Sequence, residues 1–215
     1  MGDGSDGGAC GYERLIHANG YKTRETAVSD VLFRNGLGCG ACYKVMCFGI
    51  PFCNKKAVTV VVMDQSPGGF YPHFDLSGSA FGRLATNGSA DRLRNVGKIK
   101  IVWKRTKCTY NRQKIGFHVM IGSTSYWLSL RVQFVNGDGD IGSMQIKEGS
   151  SDQWQNMTQV WGATWSAHPQ SYQKPLQGPF SIKLTSGLTK KTLFMRNVIP
   201  SNWEPQATYI SHVNF

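Results

Sequence analysis

All six cysteines, Cys10, Cys39, Cys42, Cys47, Cys53 and Cys108, fall in the first half of a chain of 215 residues. That asymmetry divides the sequence into a part that can be cross-linked and a part that must fold without covalent help. An even number of cysteines suits three disulfides and an oxidising compartment. The rival is zinc, because Cys39-Gly40-Ala41-Cys42 has ligand spacing. A zinc site needs a second close pair at matching spacing. Cys47 and Cys53 are spaced too loosely and no His pair follows, so disulfides are favoured and no metal site is expected. Redox chemistry at the Cys-x-x-Cys is disfavoured, since no βαβ pattern surrounds it. On spacing alone all fifteen pairings of six cysteines stay open.

Residues 1–110 read as short strands with one or two helices. Tyr43–Cys47 alternates, and Ala57–Met63 is a nearly continuous β-branched run, hence a buried strand. After Asp75, the residues Ala80, Phe81, Leu84 and Ala85 recur at helical spacing, and Asn87-Gly88 stops that helix. Ala90–Val96 reads as a second short helix. Ile99, Ile101 and Trp103 then alternate with Lys98, Lys100 and Lys104 in a further strand.

Around Tyr110-Asn111-Arg112-Gln113 the cysteines end and alternation becomes dense. Strand candidates follow at 115–121, 126–135, 141–147, 179–185, 191–196 and 207–213. Asn136-Gly137 reads as a hairpin turn, because both residues tolerate positive φ. Together with 25 Gly and a charged fraction of only 17%, this makes the chain mainly β, with residues 111–215 forming a β-sandwich. No segment has 18 consecutive apolar residues, so no membrane span is expected.

The net charge is +11, and both halves are basic: 15 basic against 8 acidic residues in 1–110, and 9 against 5 in 111–215. Such a chain suits an acidic polymer as its surroundings, such as pectin, glucuronoxylan or nucleic acid. The disulfide-like cysteines disfavour nucleic acid. The sequons Asn87-Gly88-Ser89 and Asn156-Met157-Thr158 add support for secretion. The opening Met1-Gly-Asp-Gly-Ser-Asp-Gly-Gly contains no apolar stretch of the kind a signal peptide has.

Two groups of residues carry possible chemistry. The first is His73-Phe74-Asp75-Leu76-Ser77-Gly78. It sets Asp75 at the mouth of the predicted helix beside an imidazole. The plain alternative is that Asp75 is a helix N-cap, worth about 1 kcal/mol, a role Ser77 can also fill. Glycoside hydrolysis usually needs two carboxylates, and Asp64 ends a buried strand that could bring it near Asp75. His73 reads as a turn residue or a supporting partner rather than a catalyst. The second group is aromatic. In the 126–135 strand, Leu128, Leu130, Val132 and Phe134 share one face, while Trp127, Ser129, Arg131 and Gln133 share the other. Trp127 on a polar face suits stacking on a sugar ring. Trp161 and Trp165 share parity, and one of them is expected in the core. Asp138 and Asp140 could ligate calcium, but a turn role is favoured.

Several motifs together resemble expansins, most closely the β-expansin branch related to group-1 grass pollen allergens. They are Gly7-Gly8-Ala9-Cys10-Gly11-Tyr12, Gly38-Cys39-Gly40-Ala41-Cys42-Tyr43, the 73–78 hexapeptide, Asn136-Gly137-Asp138-Gly139-Asp140, Trp161-Gly162-Ala163 and Ile199-Pro200-Ser201-Asn202-Trp203. The resemblance implies a six-stranded double-psi β-barrel like that of family-45 endoglucanases over 1–110. An immunoglobulin-like, polysaccharide-binding sandwich follows over 111–215. It implies the disulfides Cys10–Cys39, Cys42–Cys108 and Cys47–Cys53. It places Trp127 and Trp161, with Tyr126 beside them, in a binding row, and Asp64 and Asp75 in the barrel groove. Asp75 resembles the endoglucanases' general acid, whose partner base expansins lack. Two departures stand out. The family's Thr-Trp-Tyr-Gly stretch, which supplies the barrel's first strand, lies ahead of the position where this chain begins. Met63 also stands where the family often has Thr before the acid.

The expected function is non-hydrolytic loosening of plant cell walls by a secreted, wall-localised, N-glycosylated monomer without a cofactor. Its partners are cellulose, xylan and, through its charge, pectin. The rival readings are an endoglucanase or xylanase, and an allergen-like protein that only binds the wall.

Overall fold

The computed structural model describes residues 8–12, 21, 24–171 and 173–215; Gly7 and the opening residues before it lie outside this set. Fourteen strands among the described residues form three sheets.

The first sheet contains β1 (Glu25–Val28), β2 (Cys42–Cys47), β3 (Val58–Gln65), β4 (Phe74–Leu76) and β5 (Ile101–Thr106), in the order β4-β1-β3-β2-β5. The apolar run becomes β3, the central strand, with Val60, Val61, Val62 and Met63 all buried. Both of its faces are therefore covered, as its lack of alternation requires. The sheet curls until its edges approach: Phe74 of β4 and Trp103 of β5 have ring centroids 5.5 Å apart. The described residues supply five strands rather than the six of the implied barrel, so β4 and β5 remain edges.

Three short helices, α1 (Asp30–Phe33), α2 (Gly78–Gly82) and α3 (Ala90–Val96), pack around this sheet. The helix expected right after Asp75 starts later. Residues 74–76 are drawn into antiparallel pairing with Thr26–Val28 of β1, and Ser77 caps α2 by accepting a hydrogen bond from the Ala80 N–H at 3.3 Å. Asp75 is thus a strand residue and not a cap.

The second part contains β6 (Gly116–Val119), β7 (Leu128–Gln133), β8 (Ile141–Glu148), β9 (Gln155–Asn156), β10 (Thr158–Trp161), β11 (Thr164–Ala167), β12 (Phe180–Ser186), β13 (Thr192–Ile199) and β14 (Thr208–Ile210). They form the sheets β10-β11-β7-β6-β14 and β13-β12-β8-β9. Leu128, Leu130 and Val132 from one sheet meet Ile146, Ile182 and Leu184 from the other in a shared core, which makes a β-sandwich.

Two expectations for the 126–140 stretch change. Asn136-Gly137 does not close a hairpin, because β7 and β8 lie in different sheets. Gly137 instead exchanges backbone hydrogen bonds with Cys108 at 2.7 and 3.1 Å, and Asn136 Oδ1 accepts from Tyr110 N. The segment is a corner pinned onto the start of the second part. Phe134 does not share the sandwich core of Leu128, Leu130 and Val132. Its φ of 58° turns the chain past the end of β7, and it stacks on Tyr21 in the other core.

Three disulfides, Cys10–Cys39, Cys42–Cys108 and Cys47–Cys53, cross-link the first part. They are the pairs the resemblance implies. The Cys42–Cys108 bond spans 66 residues and removes the most freedom from the unfolded chain, in the loop-entropy picture.

The two parts meet through polar and aromatic contacts. Asp140, fully buried, accepts from Arg34 of the turn after α1 at 2.5 Å and from Arg105 of β5 at 2.7 Å. Arg131 of β7 donates to the Gly11 carbonyl at 2.5 Å.

Candidate functional site

Asp75 sits on the edge strand β4, with Phe74 and Leu76 turned toward the interior and Asp75 exposed. Its cross-strand partner on β1 is Ala27, whose partner on β3 is Asp64. Residues opposite one another on neighbouring strands face the same side of a sheet. Asp75, Ala27 and Asp64 therefore form one row on the face that β1 leaves half-open, since Thr26 and Val28 are buried and Ala27 is not. Two strand spacings put the aspartate backbones about 9–10 Å apart.

The two carboxylates have different surroundings. Asp64 Oδ1 accepts from Ala9 N at 2.6 Å and from Gln65 N at 2.8 Å, so it clamps the 8–12 loop to the end of β3. The Asp75 side chain faces solvent and accepts no such backbone bonds among the described residues. His73 is fixed through its backbone, which exchanges hydrogen bonds with Ser29. On the outer side of β4, Asp75 and His73 border an open cleft of about 760 Å³ between the edges of the sheet, with Leu76, Phe81, Ile99 and Ile101 along its walls.

The aromatic residues stand on the first sheet of the sandwich. Trp161 pairs with Thr164, which pairs with Arg131 of β7. Trp161 therefore shares the polar face with Arg131, Ser129 and, by alternation, Trp127. Trp165 is the one that fills the core, opposite Leu130. Trp161 is 49% exposed and Tyr126 45% exposed. Tyr126 stands at the tip of a tight turn closed by two hydrogen bonds between Thr124 and Trp127. Trp127 and Trp161 lie two strands and four residues apart, roughly 16 Å on the strand lattice. That separation spans several sugar units.

Sequence reasoning missed the element that joins the acids to the aromatics, which is the 8–12 loop. Ala9 is held by Asp64. Cys10 accepts from Ala163 N at 3.1 Å. Gly11, at φ +75°, lies under the Trp161 ring so closely that a Cβ there would stand 2.5 Å from it. The hairpin tip Gly162 is pressed against the Ala9 and Cys10 carbonyls in the same way. The repeated glycines around Cys10 were the signal, since close backbone approach excludes a side chain. Asp75, Ala27 and Asp64 are thus linked to Trp161 by a chain of contacts through the loop, whose residues Cys10, Gly11 and Tyr12 are buried beneath the Trp161 hairpin.

Asp138 and Asp140 belong to the scaffold. Asp138 accepts from the Leu188 N–H, the Thr189 N–H and the Thr189 hydroxyl, and Asp140 is occupied by its two arginines. Asn87 and Asn156 are both exposed. No helix among the described residues is long and apolar enough to cross a membrane.

Comparison with known proteins places this architecture. Residues 115–200 match the expansin C-terminal domain model, and residues 25–103 match a model described as lytic transglycolase. Expansin-B16 of Oryza sativa subsp. japonica is 55% identical over 218 residues, covering 100% of this chain and 79% of the relative. Expansin-B1 of Arabidopsis thaliana is 50% identical, with the same coverage. The crystal structure of an apo expansin from Clavibacter michiganensis superposes with a TM-score of 0.73 at 24% identity, covering 100% of this chain and 91% of that one. A mutant of that bacterial expansin in complex with cellohexaose gives a TM-score of 0.67 at 23% identity, covering 88% and 81%. The chain belongs to the expansin family, alongside the expansin-B proteins.

Proposed function

We propose that the protein is secreted and loosens plant cell walls by separating polysaccharides without cutting them. The observation that carries this reading is the 8–12 loop, clamped by Asp64 on one side and packed under Trp161 on the other, which fixes the acid row and the exposed aromatics relative to one another. Two exposed groups held in fixed relation, the acids on the first part and the aromatics on the second, can grip one glucan or xylan chain along several sugars and pull it from its neighbours. Trp127, Trp161 and Tyr126 hold the polymer by stacking. Asp75 and Asp64, with His73 beside the groove, hydrogen-bond the chain over the first part. The division of labour falls near residue 110, with the groove in 1–110 and the aromatic row in 111–215. The protein acts as a monomer, without metal or cofactor, on cellulose and arabinoxylan. The bacterial relative's cellohexaose complex supports a β-glucan as partner.

Hydrolysis is the second reading, favoured by two carboxylates on one face. Their backbone separation of about 9–10 Å lies at the upper end of the inverting-glycosidase window. Asp64 suits the role of base poorly, because one of its oxygens is tied to two backbone N–H groups. The experiment compares extension of isolated walls under constant load with release of soluble reducing ends. Extension without reducing ends supports the proposal. Reducing-end release that tracks extension and vanishes in Asp75→Asn overturns it.

A further inference from the structure

We propose that the outer face of the β13-β12-β8-β9 sheet is a second polysaccharide platform, built for a uniformly charged polyuronate such as polygalacturonate. This sheet lies on the far side of the sandwich core from Trp127 and Trp161. Strand alternation sends Met144, Ile146, Ile182, Leu184 and Met195 into that core. The intervening residues face outward. Register places four of them in one row, Phe194, Lys183, Gln145 and Asn156. Thr192, Thr185 and Ser143 form a parallel row of hydroxyls.

Two aromatic side chains lie on this polar face. Trp154 meets Phe194 edge-on, with centroids 5.6 Å apart, and the Lys183 ammonium lies 4.3 Å from the Trp154 ring centre. Phe194 stays 51% exposed. Lys147, Lys183 and Arg196 stand on three successive strands of the same face. Lys147 is mostly covered: its ammonium donates to the Ser151 carbonyl at 3.0 Å and lies 3.8 Å from the exposed Asp152. Neither Lys183 nor Arg196 pairs with an acid among the described residues.

These features select the ligand. Exposed rings suit the C–H face of a sugar, and the hydroxyl and amide rows suit its hydroxyls. Unpaired cations call for anions. Register sets Lys147 opposite Ser181, two residues along β12 from Lys183, so the cations are staggered over neighbouring strands. A chain with a carboxylate on every sugar can reach such staggered cations together. A xylan with scattered uronic acid branches meets fewer of them at once.

The proposal does not rest on the loosening mechanism, and its test reads neither extension nor cleavage. Asn156 ends the central row, so the protein carries Thr158→Ala to keep a glycan off the face. Affinity for polygalacturonate is measured by retardation in gels containing the polymer. Lys183→Gln with Arg196→Gln is expected to weaken it about tenfold, the sum of two surface ion pairs. Phe194→Ala, at unchanged charge, is expected to weaken it several-fold, and Phe194→Tyr to restore it. The charge-matched control Lys55→Gln with Lys56→Gln, and the pair Trp127→Ala with Trp161→Ala, should leave it largely unchanged. Equal loss in the lysine control overturns the proposal, because net charge alone then accounts for binding. So does loss in the tryptophan pair, or equally strong and equally variant-sensitive binding to glucuronoxylan or to an oligodeoxynucleotide.

Discussion

Asp64 and Asp75 stand in one cross-strand row of the first sheet with Ala27 between them. They differ in what holds them. Asp64 fastens the 8–12 loop through Ala9, whereas Asp75 faces solvent. Asp64→Ala is therefore expected to lower stability by about 2 kcal/mol, through loss of charge-assisted bonds to two backbone N–H groups. Asp75→Ala should change it by less than about 0.5 kcal/mol, as surface substitutions do. Urea unfolding of both variants decides this, and equal losses would show that the row has no such asymmetry.

Gly11 supports the Trp161 ring at φ +75°. Gly11→Ala adds a methyl group where the ring lies and strains a left-handed backbone position. Binding to insoluble cellulose should fall as far as in Trp161→Ala, with the tryptophan fluorescence shifted. Unchanged binding would mean that the loop does not position the ring.

Asp140 ties both parts together through Arg34 and Arg105. Breaking a buried pair leaves charge uncompensated, so Asp140→Asn should cost about 3 kcal/mol. Small-angle scattering should also report a wider spread of arrangements of the two parts. An unaltered melting curve would contradict this role.

Stability should decline at both ends of the pH scale. Burial first, and then coupling among neighbouring tyrosines, raises the hydroxyl pKa of Tyr12 and Tyr110 well above 10.0; burial also raises that of Tyr21. The folded state favours the neutral phenols. Their contribution is thus complete below pH 10.0 and is lost as the pH rises through the folded values. For Asp138, burial pushes the pKa up but is outweighed by hydrogen bonds from Thr189, Ser186 and Leu188, leaving it below 3.8. Its contribution is present above pH 3.8 and drains away as the pH falls through the lower folded value. Tyr21→Phe should flatten the alkaline limb of a melting-temperature profile and leave the acid limb alone. The reverse pattern would refute the assignment.

Local pattern carried much of this fold. The run 57–63 forms a central strand because it lacks alternation, and the parity of 127–132 places Trp127 on the polar face. Elements whose partners are distant in sequence were harder to read. β1 and β4 are three or four residues long and exist because they pair with each other and β1 also pairs with β3. Asn136-Gly137 carries ordinary hairpin chemistry, yet its hydrogen bonds go to Cys108. The clamp between Asp64 and Ala9 spans 55 residues, and no local signal announces it. The hexapeptide gave Asp75 the wrong element, a helix mouth where the structure has strand β4.

Constant-load extension of isolated walls by the Trp127→Ala, Trp161→Ala double variant shows whether the aromatic row holds the polymer that moves. If it does, extension disappears together with wall binding while the melting temperature holds. Extension that persists after binding is lost would contradict the account.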